Sequence, residues 1–176
     1  MYLNNITARN TRFIKFSQLT DNHLYLLVGS ILVVLYFTQL TLNLRWEWLA
    51  SLQSGEVYRQ FTGFLLLAYV LMQSRLGLHR LRKKNKKYRF LFKQHKLHGV
   101  LAPLIFYIHS IDIGFAYQTV LVFIFLGNSI VGYLNPQSIA IRNKRYILSW
   151  TILHIVLAIL TLVLMLFHIY IVYYYS

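Results

Sequence analysis

Long apolar stretches separated by short polar and charged clusters set the pattern of this chain. Spanning a bilayer takes about 20 apolar residues, and five stretches meet or nearly meet that length: 24–44, 61–78, 97–115, 117–133 and 146–173. The last is long enough to tilt or protrude. The third and fourth are almost continuous, and Asp112, Ile113 and Gly114 offer the place for a tight reversal between them. Pro103 interrupts the third stretch and is expected to kink it, because proline removes a backbone donor and clashes with the preceding turn. The pattern predicts an all-α integral membrane bundle of about five transmembrane helices.

Composition agrees with that reading. Of 176 residues, 57% are hydrophobic, 16% aromatic and only 12% charged, with mean hydropathy +0.51; soluble domains carry roughly a quarter charged residues. The absence of cysteine excludes disulfides, thiolate haem ligation, iron–sulfur clusters and cysteine nucleophiles. Any metal chemistry falls to the histidines.

The formal charge of +14 would suit nucleic acid in a soluble protein. Here the basic residues flank apolar spans, where membrane topology already places them, so no nucleic-acid partner is expected. Ten Lys and Arg lie from Arg75 to Lys96, three (Arg142, Lys144, Arg145) between the fourth and fifth stretches, and three (Arg9, Arg12, Lys15) before the first. Only Arg45 and Arg59 remain for the opposite side. Cytoplasmic loops hold Lys and Arg in excess, so the N-terminus is expected in the cytoplasm, the C-terminus outside, and the third and fifth spans run in the same direction. Residues 1–22 form a cytoplasmic segment with no small-residue cleavage site, and residues 23–176 form the membrane domain. Trp46 and Trp48 suit the outer interface and Trp150 the inner one.

Two histidine pairs share one spacing. His95 and His109 are 14 residues apart, as are His154 and His168. Fourteen helical residues advance about 21 Å and fall about 40° short of four full turns, so each pair lies on one face at two depths. With the third and fifth spans co-directional, His95 and His154 share the inner level and His109 and His168 the outer one. Ionisable side chains inside membranes are rare and mark functional interiors. A low-dielectric interior favours neutral imidazole, the form that ligates haem iron, so the pairs predict two stacked bis-histidine haems. His98, one turn after His95, is the alternative inner ligand; His95 reproduces the interval of the other helix. His23 belongs to the edge of the first span and His79 to the basic cytoplasmic loop.

Small residues follow the inner ligand on both helices. Gly99 and Ala102 come after His95, with Phe106 further along the face; Ala158 comes after His154, then Thr161 and Met165. They offer room for a macrocycle, though small residues also mark close helix packing. One ion cannot collect four ligands split over levels about 21 Å apart. The only acids, Asp21, Glu47, Glu56 and Asp112, fall at or beyond span ends, which weighs against a proton or metal transporter. A non-catalytic membrane subunit with packing histidines is the other alternative.

The run His95-Lys96-Leu97-His98-Gly99, closing at His109, resembles the ferric-reductase-like transmembrane domain, and the helix from His154 to His168 looks like its partner. That family includes ferric-chelate reductases, NADPH oxidases and, nearest in size, the haem-bearing membrane subunit of periplasmic methionine sulfoxide reductase. The similarity extends to Thr62-Gly63, Ser74-Arg75, Lys144-Arg145 and Leu153-His154, and covers the chain from about Arg59 onward. It implies two b-type haems, the inner on His95 and His154 and the outer on His109 and His168, with Arg59, Lys144 or Arg145 available to haem propionates. It also implies electron transfer from a cytoplasmic donor to an outer acceptor, as the haem component of an oxidoreductase in a bacterial inner membrane. The chain departs from the large family members in lacking flavin and nicotinamide domains, and in showing five spans where six are common. FAD or FMN would sit on a partner flavoprotein reductase; a membrane quinol is the other donor, and a ferric chelate or an external protein the acceptor. The basic loop from Arg80 to Lys96 either docks an acidic flavoprotein or serves as the positive-inside signal alone.

Overall fold

The structure, a computed structural model, describes residues 23–81 and 88–175. The N-terminal segment, Ser176 and the centre of the basic loop lie outside the described residues. Among those described, seven helices and no strand are present: α1 (His23–Thr41), α2 (Glu47–Ser54), α3 (Glu56–Leu81), α4 (Tyr88–Val100), α5 (Ala102–His109), α6 (Tyr117–Tyr133) and α7 (Lys144–Tyr174). Three of them are long and apolar enough to cross a membrane: His23–Thr41, Glu56–His79 and Lys144–Tyr174. The 17-residue α6 is apolar but shorter.

Each boundary has a local cause. α1 ends where Asn43 takes φ 51°, a left-handed conformation that asparagine tolerates better than most residues. Leu44 N–H then reaches back to Gln39 O at 3.0 Å, closing the helix end. α7 opens on Asn143, whose side chain accepts from Arg145 N–H at 2.8 Å. Gly55 separates α2 from α3. α2 is absent from the sequence reading, and His79 lies in the last turns of α3 rather than in a loop, because α3 continues past the apolar stretch.

The third apolar stretch is two helices rather than one kinked helix. α4 begins at Tyr88, well ahead of Leu97, and stops at Val100; α5 restarts at Ala102 with Pro103 in its first turn. Proline cannot donate to Gly99 O and crowds it. The break exposes carbonyls that need other donors in a nonpolar setting. Tyr133 OH donates to Gly99 O at 3.2 Å, and Tyr69 OH adds a second donor at 2.8 Å to His98 O, which also accepts Leu101 N–H at 2.9 Å. Residues 110–116, with Gly114 at φ 70°, then form the expected reversal into α6.

The bundle centres on α3 and α6. α7 packs chiefly on α6, α3 carries α2, α4 and α5, and α4 and α5 also touch α6. Neither α4 nor α5 forms a packed pair with α7. The core is largely aromatic and aliphatic, with Tyr36, Tyr69, Phe106, Phe125 and Leu126 buried. Outward faces of α1, α3 and α7 expose Val34, Phe64 and Ile159, among many others, a surface that lipid rather than water would cover.

Candidate cofactor site

The gap between α4 and α7 is a cleft of about 160 Å³, lined by His95 and His154 together with Tyr69, Gln73, Phe125 and Gly132. The two imidazoles face each other with ring centroids 6.0 Å apart and planes at 81°. Two nitrogen–metal bonds of about 2 Å, each extended by roughly 1.2 Å from nitrogen to ring centre, require centroids about 6 Å apart. The inner pair therefore has the separation that a shared axial iron demands.

His95 Nδ1 lies 3.2 Å from Gln73 O. A carbonyl only accepts, so Nδ1 carries the proton and Nε2 is the basic nitrogen, as second-shell partners arrange for metal-binding imidazoles. His154 is positioned by packing. Its ring stacks on Trp150 at 5.5 Å and 12°, and Trp150 is itself fixed by donation to Val131 O at 2.6 Å. On the other side, a Cβ added to Gly132 would come within 3.4 Å of His154 Cε1. His98 turns elsewhere, lining a smaller groove with Met72, Arg75 and Leu91. The structure thus brings His95, and not His98, against His154.

At the other level, His109 Nδ1 lies 3.0 Å from Thr62 Oγ1. The Thr62 hydroxyl proton goes to Tyr58 O at 2.7 Å, so its oxygen accepts from His109 and again leaves Nε2 basic. Gly63 keeps space beside this ring, since an added Cβ would sit 3.4 Å from His109 Cε1. Thr62 and Gly63, noted in sequence only as part of a resemblance, lie against His109. His168 Nδ1 is 3.3 Å from Tyr117 OH. His109 and His168 are within electrostatic range of each other.

Three polar features of the cleft were not legible in the sequence as functional. Asn128 lines it with a buried Oδ1 that has no hydrogen-bond partner among the described residues. Leaving such an acceptor unpaired costs about 1–3 kcal/mol, an expense that a polar atom on an occupant would relieve. Asn135 and Ser138 close its α6 end and are buried. Lys96, just ahead of the apolar part of α4, also lines it; burial pushes its ammonium pKa down to about 8, so it remains charged at neutral pH. Arg59, Lys144 and Arg145, suggested for acidic cofactor groups, are exposed and do not line the cleft.

Among the described residues there is no group of three or more His, Asp or Glu that would enclose a bare metal ion. The four histidines lie on three helices, α4, α5 and α7, with His95 and His154 in ring contact. The cleft, the 6.0 Å pair and the protonated Nδ1 of His95 and His109 fit a tetrapyrrole. In comparisons with known proteins, no family model, no curated protein and no solved structure matches the chain.

Proposed function

We propose that the chain carries electrons across a bacterial inner membrane on two b-type haems, as a ferric-reductase-like electron conduit. His95 and His154 would hold the inner haem, and His109 and His168 the outer one. The reading rests above all on the His95–His154 separation of 6.0 Å across helices that do not otherwise pack. A haem held there by His95 and His154 would supply a one-electron couple suited to outer-sphere transfer.

The remaining contributions belong to the protein. Gln73 and Thr62 hold the imidazole protons on Nδ1 and aim Nε2 at the sites. Trp150 and Gly132 fix the plane of His154, while Phe125 and Phe106 help keep the interior dry. Five crossings, with the N-terminus in the cytoplasm and the C-terminus outside, put the His95 end toward the donor. The donor class is a cytoplasmic flavoprotein or a membrane quinol, and the acceptor a ferric chelate or protein at the outer face.

Haem stoichiometry and a reduced-minus-oxidised spectrum of the full chain, purified from haem-replete cells, test the proposal. Two low-spin haems per chain are expected. His154→Ala should remove one redox component and His168→Ala the other. A folded, helical preparation without haem would overturn the reading in favour of a membrane subunit whose histidines only pack.

A further inference from the structure

His95 borders two cavities. Besides the cleft it shares with His154, it lines a groove of about 90 Å³ between α3 and α4, for which the electron-transfer reading has no use. Arg75, Gln94 and the His98 ring line this groove, and none of these three side chains has a hydrogen bond or ion pair among the described residues. Met72, Leu76 and Leu91 supply its apolar part. Leu71 and Phe90, next in sequence to two of them, are exposed on faces suited to lipid. Charge at this end of the bundle has one sign. Ten Lys and Arg lie from Arg75 to Lys96, whereas Glu56 opens α3 about 28 Å before Arg75. Glu47 on α2 and Asp112 in the turn at 110–116 belong to the Glu56 end, since Gln53 of α2 accepts Ile111 N–H there. The remaining acid, Asp21, lies outside the described residues.

A guanidinium forks onto two phosphate oxygens, an amide and an imidazole each add an N–H, and the basic ends of membrane proteins draw anionic lipid. We infer that this groove seats the phosphate of an anionic phospholipid, with Arg75, Gln94 and His98 as donors and Met72, Leu76 and Leu91 against the start of an acyl chain. Free phosphate would gain nothing from the three apolar side chains, and a quinol nothing from the charge of Arg75. The seat goes beyond the electron-transfer reading and needs only the membrane-crossing helices. It bears on that reading through position. A lipid bound to donors on both α3 and α4 clamps the two helices around the bond between Gln73 O and His95 Nδ1.

Native mass spectrometry of the full chain, delipidated and then supplied with phosphatidylglycerol or the diacylglycerol of the same chains, tests the seat. Phosphatidylglycerol should be retained roughly tenfold over diacylglycerol, the ratio expected of hydrogen bonds to an ionised group. Arg75→Gln should remove most of that preference and His98→Phe should lower it, while Arg75→Lys should keep part, since an ammonium lacks the fork. Lys93→Gln, exposed on α4 and outside the groove, should leave it unchanged. An undiminished preference in Arg75→Gln would overturn the seat, and equal loss in Lys93→Gln and Arg75→Gln would replace it with a diffuse basic surface. Displacement of the lipid by inorganic phosphate would overturn it in favour of a free anion, and displacement by a short-chain quinol in favour of a quinol site. Haem content, read from the absorption spectrum of the same samples, tests the electron-transfer reading separately, so either can fail alone.

Discussion

Thr62 has one hydroxyl proton and gives it to Tyr58 O at 2.7 Å, so at 3.0 Å its oxygen can only receive the His109 Nδ1 proton. Thr62→Val keeps the shape and removes the acceptor. On the proposed haem reading, it is expected to weaken haem retention at His109 by about 10–100-fold, the usual penalty when a ligand loses its hydrogen-bond partner, whereas Thr62→Ser should retain binding. Haem loss to an apomyoglobin trap, followed for the outer component, measures this; equal loss from both variants would sink the assigned proton. Asn128 supplies a contrasting case. Its buried, unpartnered Oδ1 destabilises an empty cleft, so Asn128→Leu should stabilise the haem-free protein by about 1–3 kcal/mol. The same substitution should gain less, or lose, in the loaded protein. Thermal melts of both forms check it, and a less stable haem-free variant would contradict the argument.

Among the helices, the break between α4 and α5 shows what sequence could and could not supply. Pro103 announced an interruption in an apolar stretch, and the two paired intervals announced the face on which the histidines sit. Length and hydropathy found α1, α3 and α7 to within a few residues. They did not find α2, which is too short to carry an apolar signature, nor the tyrosines that answer the break. Tyr69 and Tyr133 read as ordinary aromatic residues of apolar helices; only the fold shows their hydroxyls on His98 O and Gly99 O. The histidine spacing describes one helix only for His154 and His168 on α7; His95 and His109, expected on one continuous face, are divided between α4 and α5 by the break at Pro103. The hydrogen bond from Lys96 to Gln137, 41 positions away, was not legible, because it joins elements that only the fold brings together. Tyr133 also explains Gly29 on α1. A Cβ there would come within 2.7 Å of the Tyr133 ring, and the ring is buried and cannot retreat. Gly29→Ala should therefore cost about 1–3 kcal/mol by overpacking, read as a lower thermal midpoint. A variant as stable as the parent would show that α1 can slide away from α6.

For the whole molecule, the decisive question is whether α4–α5 and α6 traverse the same depth as the three long helices. The contacts at the two ends answer from opposite directions. At one end Gln53 of α2 donates to Tyr107 O at 2.8 Å and Ile108 O at 3.0 Å, and accepts from Ile111 N–H at 3.0 Å. Tyr58 OH adds a bond to Ile108 O at 2.9 Å, and Arg45 meets Asp112 at 3.2 Å. The exposed ion pair adds little energy, but together these bonds tie the turn at 110–116 to the connection between α1 and α3. At the other end Lys96 reaches Gln137, on the loop into α7. A helical pair fastened to one set of loops at its turn and to the opposite set at its open end runs the depth of the bundle. On the proposed five-span reading, the break between α4 and α5 is an interruption within a crossing, with Tyr69 and Tyr133 donating to carbonyls beside it. Because the chain has no cysteine, single-cysteine labelling can test this directly. Ser54→Cys and Phe115→Cys should both react with a membrane-impermeant maleimide in intact cells, and Ser149→Cys only after permeabilisation. Labelling of position 54 without position 115 would place the turn inside the membrane or behind it, leaving His109 without an outer level to occupy.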